Sequence, residues 1–290
     1  MTKPSLLIGV PVYQADAYLE EAINSLVVQS FHNWEMVIAD NASTDRTSDI
    51  AKAFANRDQR IRYVRHERNV GAAANFLFLA GMATHPYFMW AAADDRWSPD
   101  YIERCMTVLK DHPAIGFASG RLVNTAPDGT ALRDFGYFEG LETVSPRDRL
   151  SHFLAAREVD GKANIIYSIY RTPLIQAVCA DAQIMTGWGA DMGLVAAALS
   201  RAPYRQAEQA ILYKGVASTE DIETARNLAQ GRYESVDFAG NFPLRQFPSY
   251  LRALLRGMPS ADLILLVTRI MLARLPHVVR WRLMRLLRRP

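Results

Sequence analysis

Apolar runs and amphipathic stretches alternate through the first 120 residues. Leu6–Val12 is a short continuous apolar run, as expected of a strand buried on both faces. Tyr18, Leu19, Ala22, Ile23, Leu26 and Val27 follow at three-four spacing, with Asp16 placed to cap a helix. Glu35–Ala39 predicts a second strand ending at Asp40-Asn41, and Ser43-Thr44-Asp45 opens a second helix to about Asn56. Ile61–Val64 predicts a third strand, and Asn69-Val70-Gly71 leads into an apolar helix to Met82. Tyr87–Ala92 predicts a fourth strand ending at Asp94-Asp95. Ser98-Pro99 starts the next helix, with proline at its first position.

Strand-helix alternation at this spacing predicts an α/β fold, a mostly parallel sheet with helices on both faces. In such sheets ligands bind at the carboxyl ends of the strands. Tyr13, Asp40 and Asp94-Asp95 stand at three of those ends. The second half is less regular. Asn124–Gly129 reads as a hairpin turn around Asp-Gly. Ile165–Tyr170 predicts a strand, Thr172-Pro173 a helix start, Gly187–Asp191 the approach to another helix, and Tyr204–Tyr213 a last strand. The pattern divides into an α/β domain over 1–215, with halves near 1–120 and 121–215, and a helical C-terminal region over 216–290.

Charge adds the next feature. From Leu251 to Pro290 there are nine arginines against one acid, Asp262, so the rest of the chain is slightly acidic although the net charge is +3. A basic segment of this kind binds nucleic acid or an anionic membrane surface. The apolar run from Leu263 is broken by Arg269 and is too short to span a bilayer. Arginines interleaved with leucines and Trp281 fit a helix lying in the membrane interface, or else an ordinary packed helix with a solvated arginine face. No aromatic-basic platform accompanies the charge, so nucleic acid is not expected as a partner. The opening MTKPSLLIGVPVY reads as a strand rather than a secretory signal. Two distant cysteines, Cys105 and Cys179, exclude a disulfide framework and favour a reducing compartment.

Chemistry gathers on the carboxylates. Two acids at the buried end of a strand repel and lose hydration, so Asp94-Asp95 needs a cation or strong donors. A divalent ion completed by phosphate oxygens supplies that charge; Asp95 as the cap of the Pro99 helix is the alternative, but a cap would use one acid and not two. Asp40 begins Asp-Asn-x-Ser-Thr-Asp, a good turn and cap sequence in any protein. Asn69-x-Gly71 serves a turn as readily as a ligand, and Arg65 can counter a phosphate or face solvent.

Pro11-Val12-Tyr13, Tyr18-Leu19-x-Glu21-Ala22-Ile23-x-Ser25-Leu26-x-x-Gln29-Ser30-Phe31-x-x-Trp34-Glu35 and Asp40-Asn41-x-Ser43-Thr44-Asp45-x-Thr47 together resemble the start of a family 2 glycosyltransferase. Asn69-Val70-Gly71 and Ala93-Asp94-Asp95-x-Trp97-x-Pro99 continue the likeness in order, and Tyr167–Arg171 with Gly189-Ala190-Asp191 extend it to about residue 215. The resemblance implies a GT-A fold and inverting transfer from a nucleoside diphosphate sugar, UDP-sugar being favoured. The acceptor would be a glycan or polyprenyl-linked hydroxyl in cell-surface polysaccharide synthesis. By position, Pro11, Val12 and Tyr13 would contact the donor, with Tyr13 stacked on the base and Asp40 hydrogen-bonded to it. Arg65, Asn69 and Asp94 would complete the donor site. Asp95 would hold Mn2+ or Mg2+, and Asp191 would be the catalytic base.

Three positions depart from the family pattern. Ala92 stands where an acid is common, Gln14 replaces an asparagine, and Lys214-Gly215 follows Tyr213 in place of an arginine and histidine. Lys214 is the available substitute contact to the diphosphate. Without Gln-x-x-Arg-Trp the chain does not read as a processive synthase, and without Gly-x-Gly-x-x-Gly it does not read as a dinucleotide oxidoreductase. The loop Pro11–Gln14 lacks the Gly-rich basic character of a nucleotidyltransferase. A non-catalytic membrane-associated scaffold of the same fold is the alternative from another class. The expected location is the cytoplasmic side, peripheral on the inner face of the cell membrane.

Overall fold

The computed structural model describes residues 4–156, 160–215 and 247–287, with side chains at 276–278 and 280–287 left aside. β1 (Leu6–Val12) pairs in parallel with β2 (Trp34–Asp40) on one side and β4 (Tyr87–Trp90) on the other; β2 pairs with β3 (Ile61–Arg65). Beyond β4 the sheet becomes mixed. Its order is β3-β2-β1-β4-β8-β6-β9-β5, with β8 (Ile169–Arg171), β6 (Phe117–Thr125), β9 (Tyr204–Gly215) and β5 (Asp95–Trp97). β7 (Ala131–Asp134) forms a hairpin with β6 across the predicted Asp-Gly turn.

Both faces of the sheet are covered, which is why β1 is apolar without alternation. Leu6, Ile8, Val10 and Val12 point to one core cluster, shared with α1 (Leu19–Val27), α2 (Thr47–Arg57) and α4 (Tyr101–Asp111). Leu7 points to the other, shared with α3 (Ala72–Gly81), α5 (Pro146–Ala155), α6 (Thr172–Cys179) and α7 (Ala190–Arg201). Gly9 lies on that second face; a Cβ there would come within 3.0 Å of the Leu79 side chain, so the glycine lets α3 sit close on β1.

The C-terminal helices α8 (Phe247–Leu255) and α9 (Ala261–Leu287) join the second cluster. Tyr250, Leu254, Val267 and Met271 are buried there. Residues 216–246, which the sequence assigned to the helical region, lie outside the described residues, as do Arg288 and Arg289.

Three local expectations need correction. Asp16 does not cap α1, whose N-cap is Tyr18 without a side-chain bond; Asp16 instead faces Arg46 at 3.6 Å, and its N–H donates to Asp45 Oδ2 at 3.2 Å. Pro99 precedes α4 rather than opening it, and Asp100 is the N-cap. Ile165–Tyr167 is the end of a 3₁₀ turn (Lys162–Tyr167) rather than a strand, and of the predicted run only Ile169 and Tyr170 lie in β8.

Candidate active site

The loops after β1, β2 and β3 are tied into one polar rim at the carboxyl edge of the sheet. Gln14 is the main tie and sits in the left-handed region at φ 51°. Its N–H donates to Ser43 Oγ at 3.1 Å, and its Oε1 accepts from the Thr44 and Asp45 N–H groups at 2.8 and 3.3 Å. Those bonds offset the roughly 1 kcal/mol or more that a non-glycine residue costs in that region. Asn41 makes the second tie, accepting from Val70 N–H at 2.8 Å and donating to Asn69 Oδ1 at 2.9 Å. Asn69 Oδ1 also accepts from Gly71 N–H, so its amide serves the turn.

Of the first run, Val12 is buried and its carbonyl accepts from Asn41 N–H, Pro11 is half-buried, and Tyr13 stands 51% exposed over the rim. Asp40 is wholly enclosed. Its Oδ1 accepts from Ser43 N–H at 2.8 Å; its Oδ2 accepts from the Tyr63 hydroxyl at 2.7 Å and from Arg65 at 2.5 Å. Burial alone would raise this carboxyl, but the bonds from Ser43 and Tyr63 and the Arg65 charge outweigh it and hold the pKa below the usual range. Asp40 is therefore a fixed anion that orients Arg65, and the half-exposed Arg65 is the group presented outward.

The second cluster forms where β5 meets β9. β4 ends at Trp90, and Asp95 opens β5, a three-residue strand antiparallel to β9 that places Asp95 directly opposite Lys214. Lys214 Nζ lies 3.3 and 3.5 Å from the two Asp95 oxygens. Asp95 is fully buried, while Asp94 beside it is exposed. Burial pushes the Asp95 carboxyl up to about 6, with Lys214 opposing and Asp94 adding to the rise. For Lys214 burial works against the charged form, but Asp95, Tyr167 and Asp94 outweigh it and hold its ammonium above the usual lysine range. Asp95 does not cap α4.

Asp191 lies in the first turn of α7, half-buried, with Oδ1 accepting from Met192 N–H at 2.8 Å. Burial raises its pKa above the ordinary carboxyl value, against the hydrogen bonds of its own turn. Gly187 and Gly189, at φ 92° and 77°, make the turn that aims it. Tyr250 of α8 closes over that turn: a Cβ on Gly189 would meet its ring at 2.4 Å, and Trp188 packs edge-on against it at 5.1 Å.

Tyr167 stands beside the Asp95–Lys214 pair. Its ring lies 5.7 Å from Lys214 Nζ. Burial, against the opposing Lys214 charge and aided by Asp95, Asp94 and Asp191, pushes its hydroxyl up to about 12. One neutral phenol therefore feels all three acids and the lysine. Tyr167 was visible in the sequence only as part of the loosely matching Tyr167–Arg171 run; Gln14 only as a departure; Tyr250 not at all, since a single aromatic in an apolar helix carries no local signal.

A family model described as glycosyl transferase family 2 matches residues 7–168, more than half of the chain. The chain belongs to this family. The glycosyltransferase TuaG of Bacillus subtilis (strain 168), named for teichuronic acid biosynthesis, is 34% identical over 134 residues, covering 46% of this chain and 52% of TuaG. Glycosyltransferase GlyA of Streptococcus pneumoniae is 31% identical over 105 residues, covering 36% of this chain and 15% of GlyA. The chain thus spans about half of TuaG and a smaller share of GlyA. Among solved structures, Staphylococcus aureus TarS 1-349 with UDP-GlcNAc aligns at TM-score 0.55 and 16% identity, over 89% of this chain and 82% of that one. Mannosyltransferase PcManGT of Pyrobaculum calidifontis, with GDP-Man and Mn2+, aligns at TM-score 0.55 and 15% identity, over 95% and 76%. These likenesses show the GT-A fold expected from the sequence.

Family membership and the Mn2+ of PcManGT suggest a divalent ion. The residue expected to receive it here is Asp95, and Lys214 stands against it. A hard cation wants unshared anionic oxygens, whereas both Asp95 oxygens already face an ammonium. Among the described residues no three His, Cys, Asp or Glu side chains gather as a ligand set. The site does not fit a divalent ion on Asp95 while Lys214 stays in place.

Proposed function

We propose that this chain transfers a sugar with inversion from a nucleoside diphosphate sugar, a UDP-sugar foremost, to a hydroxyl of a glycan or lipid-linked acceptor in cell-surface polysaccharide synthesis. The observation that carries the reading is the pairing of Lys214 with the buried Asp95 at the carboxyl edge of the sheet, with the Tyr167 ring 5.7 Å from the ammonium and a partly buried acid, Asp191, in the first turn of α7. The nucleotides held by TarS and PcManGT support it. Tyr13 offers the exposed ring for the base, Arg65 the outward cation fixed by Asp40, and Asn69 the shape of the third loop. Asp94, exposed beside Asp95, is the proposed contact to ribose or sugar. Asp191 takes the proton of the acceptor hydroxyl as that oxygen bonds the anomeric carbon from the side opposite the departing diphosphate. A non-catalytic scaffold would have no use for a carboxyl raised by burial in this position. Incubating the protein with UDP-GlcNAc, UDP-glucose and GDP-mannose separates the two: slow hydrolysis of one donor to nucleoside diphosphate is expected, and none from any donor overturns the transferase reading.

The membrane part of the reading rests on α9. Leu263, Val267 and Met271 bury one side of it on the core, while Leu265 (56% exposed) and Leu272 (51%) form an outward stripe that Val279 continues one further two-turn step along. A helix apolar on two opposite sides needs a second apolar environment. Among the described residues no helix is long and apolar enough to cross a membrane. Among the described residues two of the arginines are engaged: Arg274 donates to the Leu154 carbonyl at 2.9 Å, and Arg256 holds Gln183 and Thr186. An anionic bilayer surface is the proposed partner, each remaining arginine near it contributing about 1 kcal/mol. The test uses Leu265→Ser with Leu272→Ser rather than truncation, because α9 also completes the core. Sedimentation with phosphatidylglycerol vesicles is expected to fall several-fold, with melting temperature little changed; equal sedimentation of variant and parent overturns the assignment.

A further inference from the structure

We infer that Lys214 is the cation that neutralises the departing diphosphate, so that this chain binds its donor without a divalent ion. The inference rests on the donor being a nucleoside diphosphate sugar. Its basis is the cross-strand geometry: β5 and β9 pair Asp95 with Lys214 in register, and Nζ stands 3.3 and 3.5 Å from the two carboxylate oxygens. The Lys214 side chain is 29% exposed above a fully buried acid, and its neighbours Asp95 and Gly215 line a cleft with Tyr18, Glu21, Asp94 and Arg96. Tyr167 walls the other side of the ammonium at 5.7 Å from ring to Nζ.

An ammonium has three donors in a compact charge, the form in which lysine binds phosphate. Asp95 fixes its direction, and a donor not spent on Asp95 is left for a phosphate oxygen. As the bond between the anomeric carbon and the phosphate oxygen breaks, its electron pair stays on that oxygen, and the added negative charge develops beside Lys214. The new bond comes from the acceptor oxygen, whose proton passes to Asp191. Lys214 stays protonated throughout, and no oxidant or reductant enters. A preset charge aimed at developing charge acts without reorganisation, which is how electrostatic stabilisation of a leaving group works. Asp95 is then a positioning residue for Lys214 rather than a metal ligand.

The test is calorimetric binding of UDP and of GDP to the full chain, in EDTA and in Mn2+, with uridine as the control ligand lacking phosphates. A dissociation constant in EDTA within about threefold of that in Mn2+ is expected for the preferred nucleotide. Lys214→Met should weaken that nucleoside diphosphate by about tenfold or more, the scale of one lost charged hydrogen bond, and leave uridine unchanged. Since Lys214→Met strands a buried carboxylate, Lys214→Met with Asp95→Asn removes both charges and should keep the fold while showing the same loss. Binding that vanishes in EDTA and returns with Mn2+ overturns the inference alone. So does a double variant that binds as tightly as the parent. Failure of both nucleotides to bind in either buffer overturns it together with the transferase reading.

Discussion

Asp191→Asn is expected to lower turnover by about a hundredfold or more, the usual scale of a lost general base, with nucleotide affinity nearly unchanged. The amide keeps the size of the side chain and its acceptance of the Met192 N–H, so the first turn of α7 stays in place. What disappears is the site that takes the acceptor proton. The pH profile gives a second readout. Burial raises the Asp191 carboxyl above its ordinary value, and the base works only when deprotonated. Activity of the parent should therefore fall as pH drops through that raised pKa, placing the acid limb at higher pH than an ordinary aspartate would. In the variant the residual rate should lose that limb. A variant with weakened nucleotide binding and parental turnover would move Asp191 from proton transfer to donor binding.

Tyr250→Ala is the substitution expected to cost most stability, about 3–5 kcal/mol as for other buried aromatics, which for a chain of this size lowers the melting temperature by on the order of 10 °C. The ring is fully buried, packs edge-on against Trp188, and places its hydroxyl 3.4 Å from Met192 Sδ. Gly193 meets the same helix so closely that a Cβ would lie 2.4 Å from the Ala253 carbonyl oxygen. α8 is thus seated directly on the turn that aims Asp191, and emptying its main contact should reduce turnover as well as stability. Tyr250→Phe, which keeps the ring and loses only the hydroxyl contact, should shift the melting temperature by about 3 °C or less. Calorimetry on both variants checks the contrast; an alanine variant melting within about 2 °C of the parent would mean that α8 does not brace α7.

Much of the parallel half was legible because its signals are local. A strand covered on both faces must be apolar throughout, so Leu6–Val12 declared itself, and its helices followed from three-four spacing. The family pattern lay in the loops after those strands, where backbone ends converge whatever the sheet does later. Asp40, Asp94, Asp95 and Asp191 could accordingly be picked out before any coordinates. Their states could not. Whether Asp40 faces a ligand or is sealed by Ser43, Tyr63 and Arg65 depends on neighbours up to 25 residues away in sequence. β5 is three residues long and exists only because β9 pairs with it; the Asp95–Lys214 contact spans 119 residues and no periodicity announces it. Tyr167 gains its place beside Lys214 from a 3₁₀ turn whose paired isoleucines imitate a strand. The sequence by itself determined the sheet-forming runs of the parallel half, the candidate acids and the basic, leucine-rich character of the C-terminus, since each depends on residues close together in the chain. Tertiary structure alone decided which acid is neutralised by which cation, and that α8 and α9 complete the core, because pairing and burial are made by segments that meet only once the chain has folded.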